Sequence, residues 1–128
     1  MSEKSIPQKL YLREDQRFLL INPPRDYLEL MGTLPKGVTL LNEFQAPVDL
    51  LQVFVKNRKE LDELLDKIIP LLSPKVILWI TYLKGTSKIE TDINRDIIAQ
   101  YAAILGLQAV AIVAIDQDWA ALRLKVKA

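Results

Sequence analysis

The run Val76 to Ile80 (VILWI) offers no polar position on either side of an extended chain. It is far too short to span a membrane and, with Ser73-Pro74 before it and Lys84-Gly85 after it, too short for a buried helix. Such a run is the signature of a strand covered on both faces, as in the middle of a parallel sheet. Parallel neighbours need crossover connections, and helices are the usual ones, so the run commits the chain to an α/β architecture.

The remaining segments agree with this. RFLLI, residues 17–21, reads as a first strand stopped by Pro23 and Pro24, which cannot donate to a ladder. Pro24 or Arg25 can open a short helix with Tyr27, Leu28 and Met31 on one face, ended by Gly32 and Pro35. GVTLL (37–41) and DLLQVFV (49–55) read as further strands. Asn57 and Glu60 have capping-box spacing, and Leu61, Leu64, Leu65, Ile68 and Leu72 then recur at helical spacing. The opposite face is charged, with Glu63 and Lys67 ordered for an i,i+4 pair of about 0.2 to 0.5 kcal/mol.

After VILWITYL, a second helix is expected over 92–105, capped by Thr91 or Asp92, with Ile93, Ile97, Tyr101 and Ile104 or Leu105 on one stripe. Gly106 sits where a left-handed C-terminal residue is wanted. QAVAIVAI and ALRLKVK, joined by about five residues, must pair antiparallel. Residues 1–16 show no sustained period and read as a loosely ordered arm before a single domain over 17–128.

This order, with its terminal hairpin, resembles the layout of class I S-adenosylmethionine-dependent methyltransferases. APVDLLQVFV is similar to the strand-four segment of that family. PLLSPKVILWITYLKG is similar to its helix-to-strand-five segment, with Lys75 and Val76 in place of two glycines. From RFLLINPPRDYLELMG through KGTSKIETDINRD to AIDQDWAALRLKV the chain more closely resembles a family of short bacterial proteins with no assigned function. The resemblance implies an open, mostly parallel, doubly wound sheet of about six strands ending in an antiparallel hairpin, in the order two, one, three, four, six, five. It is Rossmann-like and methyltransferase-like, shortened by one strand and one helix.

That order puts the apolar strand 109–115 at an edge, where bare apolar backbone invites aggregation. Either a partner, such as a second copy in a homodimer, covers it, or the last two strands are exchanged. The charges Arg123, Lys125 and Lys127 on the final strand would then serve as edge protection, and phosphate contact is the lesser reading.

Composition narrows the chemistry. With no histidine and no cysteine, the commonest general base, the thiolate nucleophile and zinc-thiolate sites are all missing. Seventeen basic against sixteen acidic side chains leave a net charge of +1, too little to steer nucleic acid. No apolar segment suggests a leader or a span, so a cytoplasmic location is expected.

Ligands of open α/β sheets bind beyond the carboxyl ends of the parallel strands. The resemblance places a glycine-rich cofactor loop after strand one, yet Asn22-Pro23-Pro24-Arg25 stands there, and two residues without amide hydrogens cannot form an anion nest. Asn-Pro-Pro also resembles the catalytic loop of DNA amino-methyltransferases, which follows strand four and continues with an aromatic residue; here it follows strand one and continues with Arg25. No catalytic residue and no metal site are therefore expected. Glu43 lies about twenty residues after the first turn, where such folds hold ribose hydroxyls, so Asn22 and Glu43 are the candidates if S-adenosylmethionine binds. The loop with Lys84, Gly85, Thr86, Ser87, Lys88 and Arg95 offers cations, donors and a helix start for a small anionic ligand. Two readings follow: a non-catalytic binding or interaction module without cofactor, or a divergent methyltransferase.

Overall fold

The computed structural model describes residues 4–85 and 91–127. Six strands form one sheet: β1 (Arg17–Ile21), β2 (Thr39–Leu41), β3 (Leu50–Val55), β4 (Ile77–Leu83), β5 (Leu107–Ala114) and β6 (Trp119–Val126). Their order is β2-β1-β3-β4-β6-β5, the expected one. The pairs β1–β2, β1–β3 and β3–β4 are parallel, and β6 runs antiparallel to both β4 and β5. Strand exchange at the hairpin is thereby excluded: β6 is internal and β5 is the edge.

Alternate residues of the central strands feed two separate cores. On one face α3 (Arg58–Ile68) and α4 (Arg95–Ile104) cover Leu51, Val53, Leu78, Ile80 and Leu122. On the other, α1 (Ile6–Lys9) and α2 (Tyr27–Met31) cover Phe18, Leu50, Phe54, Trp79 and Trp119. Every residue of β3 is buried, as strands covered on both sides require.

α3 forms as its spacing predicts, with Leu61, Leu64, Leu65 and Ile68 inward. Asn57 accepts the Glu60 amide, while the Glu60 carboxylate takes the amide of Lys56, one residue short of a reciprocal box. α4 departs from expectation. Its cap is Asn94, whose side chain accepts from the Ile97 amide, because Thr91 and Asp92 are engaged elsewhere. The Thr91 hydroxyl donates to the Lys56 carbonyl, and Asp92 accepts the Arg58 amide, so both tie this segment to the start of α3. The helix is consequently rotated: Ile98 and Ala102 are buried, and Ile104 is 80% exposed. Gly106 does adopt the left-handed conformation, at φ +84°. In α2 the inward pair is Tyr27 and Met31, with Leu28 exposed.

Within the segment expected as a loose arm, residues 5–12 form a structural cover. Ser5 and Gln8 form a reciprocal capping box on α1. Ile6, Leu10 and Leu12 are buried, and the indole Nε1 of Trp79 donates to the Leu10 carbonyl at 3.0 Å. An apolar sheet face with no crossover helix above this column needs a lid, and residues 6–12 supply it. Trp79→Phe keeps an aromatic side chain but removes the indole N–H, with part of the ring volume, and leaves that carbonyl unpaired. A loss of about 1–3 kcal/mol in urea unfolding is expected, with faster amide exchange over residues 5–12 than elsewhere. Unchanged exchange there would show that the arm is held by packing alone.

Candidate functional site

The carboxyl ends of β1, β3 and β4 form one rim with the end of β5 and the start of β6, because β5 runs parallel to β4. At the β1 end the chain leaves the sheet through Asn22, which is left-handed at φ 56°. Pro23 and Pro24 follow, and Asp26, left-handed at φ 68°, precedes α2 without making a side-chain cap. α2 has five residues, and at its start the Tyr27 amide donates to the Pro24 carbonyl at 3.1 Å.

At its start α2 sends Tyr27 inward. Its hydroxyl donates to Gln52 Oε1 at 2.9 Å, and Gln52 Nε2 donates to Thr81 Oγ1 at 2.9 Å, a hydrogen-bonded chain across the two central strands. Gln52 and Thr81 are fully buried. The Tyr27 ring meets Phe54 edge to face at 4.7 Å, and Phe54 meets Trp119 in the same way at 5.0 Å. Trp119 is thus a packing anchor, not a mobile lid. Burial pushes the Tyr27 hydroxyl well above its ordinary value, and the hydrogen bond to Gln52 offsets this only in part. A phenol held neutral in this way is no base near neutrality. The sequence held a signal for this chain: Gln52 and Thr81 each interrupt an otherwise apolar strand core.

Asn22 and Glu43 come together. Both line a cavity of about 410 Å³ with Asn42, Phe44, Glu60, Glu63 and Lys67, on the α3 side of β1 and β2. Asn22 and Glu60 are shared with a second hollow of about 380 Å³ beside Pro23, Phe54 and Lys56. The two hollows flank β1 and β3, the point where the strand order reverses and where open α/β sheets take their ligands.

A larger cavity, about 600 Å³, lies further along the rim. Lys84, Gly85, Asn94 and Arg95 form one side, and Tyr82, Ala120, Ile112, Val113 and Ala114 the other. Lys84, Gly85 and Arg95 are therefore brought to one place, whereas Thr86, Ser87 and Lys88 lie outside the described residues. Arg95 Nε stands 3.7 Å from the Asp96 carboxylate, an exposed pair that holds the cation only weakly. The Tyr82 hydroxyl is raised by burial, with Arg95 lowering and Asp96 raising it further. The wall supplied by β5 was not foreseen as part of a site, because nothing in the sequence says that an edge strand will border a cavity.

Other polar groups near the rim have structural work. Asp116 accepts the amides of Asp118 and Trp119 at 2.8 and 2.9 Å, shaping the hairpin turn. Among the described residues no group of three acids, histidines or cysteines is placed to hold a metal ion, and no helix is long and apolar enough to cross a membrane. Arg123 and Lys125 lie on an internal strand, which corrects their reading as edge protection; the Arg123 guanidinium rests over the Tyr11 ring at 5.5 Å.

Among solved structures the chain is similar to a protein of the NADB-Rossmann superfamily from Streptococcus agalactiae, at 15% identity over 99% of this chain and 70% of that one, TM-score 0.57. It is also similar to a SAM-dependent methyltransferase from Aquifex aeolicus, at 12% identity over 94% of this chain and 89% of that one, TM-score 0.58. LepI in complex with SAM matches at 16% identity over 95% of this chain and 39% of that one, TM-score 0.54. No protein-family model and no curated protein matches the sequence. The fold is that of the Rossmann-like methyltransferases, and at these identities the likeness extends to the fold alone.

Tyr27→Phe leaves Gln52 Oε1 without its donor and should cost about 1–3 kcal/mol at neutral pH. The raised pKa gives a second readout. A tyrosine whose folded pKa lies above its unfolded value of 10.0 contributes stability that is present below that value and lost as pH rises past it. The wild-type chain should lose stability above pH 10.0, and Tyr27→Phe should flatten that loss; equal slopes in denaturant titrations would remove the assignment.

Proposed function

We propose that this chain is a binding module built on the methyltransferase frame, taking a small ligand with an apolar body and an anionic group in the cavity beyond β4, β5 and β6. The observation that carries the reading is the make-up of that cavity. One wall is the apolar face of Ile112, Ala114 and Ala120, and facing it stand Lys84, Arg95 and the first turn of the ten-residue α4. A mostly apolar hollow of about 600 Å³ with a few convergent polar groups is the usual form of a small-molecule site. An anionic group would meet two side-chain cations and the positive end of a helix, and an apolar body would cover the strand wall.

The absence of a reaction in this proposal rests on what occupies the rim. The loop after β1 offers two prolines where a cofactor's anionic groups would need amides. The two tyrosines with shifted hydroxyls are both shifted away from use as bases. The chain has no histidine or cysteine to take their place.

A second reading, a divergent S-adenosylmethionine-dependent methyltransferase, is favoured by one arrangement. Asn22 and Glu43 share a cavity beside the reversal of strand order, and Glu43, Glu60 and Glu63 face a single lysine there, Lys67. Glu43 would hold ribose hydroxyls, and the acidic surroundings suit a cationic sulfonium. The cofactor would supply the methyl group. The fit is partial, because its carboxylate would find no amide cradle at residues 22–25.

Two titrations separate these readings. Anilinonaphthalene sulfonate, which carries an apolar body and one anionic group, should bind saturably with one site, and the Lys84→Ala, Arg95→Ala double variant should weaken it by roughly tenfold, or about 1.4 kcal/mol. Calorimetry with S-adenosylmethionine and S-adenosylhomocysteine should show no saturable heat. Saturable binding abolished by Glu43→Ala, with dye binding indifferent to Lys84 and Arg95, would replace the first reading with the second.

A further inference from the structure

The two edges of the sheet are unequal. β2 has three residues, whereas β5 has eight, spanning roughly 27 Å at about 3.4 Å per residue. β5 carries no charge, and Gln108 is its one polar side chain. Val110 and Ile112 are 41% and 45% exposed, and only Leu107 of the eight is buried. In an antiparallel edge strand every second residue turns its N–H and C=O outward, so apolar side chains and unpaired backbone coincide along the height of the domain.

We infer that β5 is the contact between two copies of this chain, related by a two-fold axis. A strand without charge can face its own copy with no like-charge repulsion, while a strongly charged partner would find no countercharge on it. A strip roughly 27 Å long and about 10 Å deep on each face covers on the order of 500 Å² per copy. Two such strips reach the ~1,000 Å² at which specific interfaces begin, which fits a modest, concentration-dependent dimer. The alternative of β5 against β2 of the next copy would give an open chain of molecules, and a three-residue β2 is too short to pair an eight-residue edge.

Two local features support a closed pair over open-ended stacking. A register shift between Ala109 and Ala111 places a bulge at Val110, which bends the strand in its middle. At its end the Lys9 ammonium donates to the Ala114 carbonyl at 3.0 Å. Both disturb a long flat ladder, and neither covers Ile112, which stands between them. A pair centred near Ile112 uses each edge once and leaves no further edge of this length exposed.

The test reads mass alone and is independent of whether either cavity binds a ligand. Sedimentation equilibrium of the full chain at roughly 5 to 200 µM should show a monomer–dimer equilibrium, and Ile112→Glu and Val110→Glu should each weaken it by more than about tenfold. Leu30→Glu, at a side chain 51% exposed on α2, should leave it unchanged. Circular dichroism verifies that each variant is folded; if one is not, the other still decides. A wild-type chain that stays monomeric across the range overturns the inference, and so does a dimer that persists when folded Ile112→Glu and Val110→Glu variants are used.

Discussion

The architecture depends on one constraint: β3 and β4 are apolar on both faces, so both faces must be covered. Phe54 and Val53 are adjacent in sequence and lie in different cores. Each core then demands its own layer. α3 and α4 are long enough to seal one face, with Leu61, Leu65, Ile98 and Ala102 turned inward. The other face has only the short α2 between β1 and β2. The deficit over β4 is met by residues 6–12, which reach across to Trp79 and Lys9 to the end of β5. With only a short crossover helix on this face, residues 6–12 cover the rest of it.

The same shortage bears on the rim. α2 is too brief to present a helix start to a ligand, and its two inward residues, Tyr27 and Met31, are spent on the core. The Tyr27–Gln52–Thr81 chain satisfies two polar groups in the middle of the sheet and fixes the register of Tyr27 against Phe54. A buried polar chain with each partner satisfied adds rigidity where ligands of this fold commonly bind. Room for a ligand therefore opens beside this plug: in the acidic hollow with Asn22 and Glu43, and in the larger cavity between α4 and the hairpin.

That larger cavity exists because of the way α4 sits. Thr91 and Asp92 are bonded to the start of α3, which delays the helix to Asn94 and turns Ile98 and Ala102 to the sheet. The first turn then stands off from the ends of β4 and β5. Ile112 and Ala114 line the hollow and also belong to the exposed edge, so the cavity and the proposed self-contact share a strand.

The sequence by itself determined the strands and the main helix; their order was implied by the family resemblance and fixed by the tertiary structure. Apolar runs of strand length, proline stops and the Leu61–Ile68 spacing are local signals, and burial on two faces leaves no alternative to crossover helices. It also determined that the loop after β1 has no amide cradle, since two prolines lack the hydrogens in any conformation. Tertiary structure alone decided the cap and rotation of α4, the docking of residues 6–12 and the role of Tyr27, because each turns on a partner 25 or more residues away: Lys56 and Arg58 for Thr91 and Asp92, Trp79 for Leu10, Gln52 for Tyr27. It also decided which hairpin strand lies at the edge, since pairing with β4 is a long-range choice that composition did not express. Sequence patterns report which surfaces must be buried; which distant group buries them is settled only when the chain is folded.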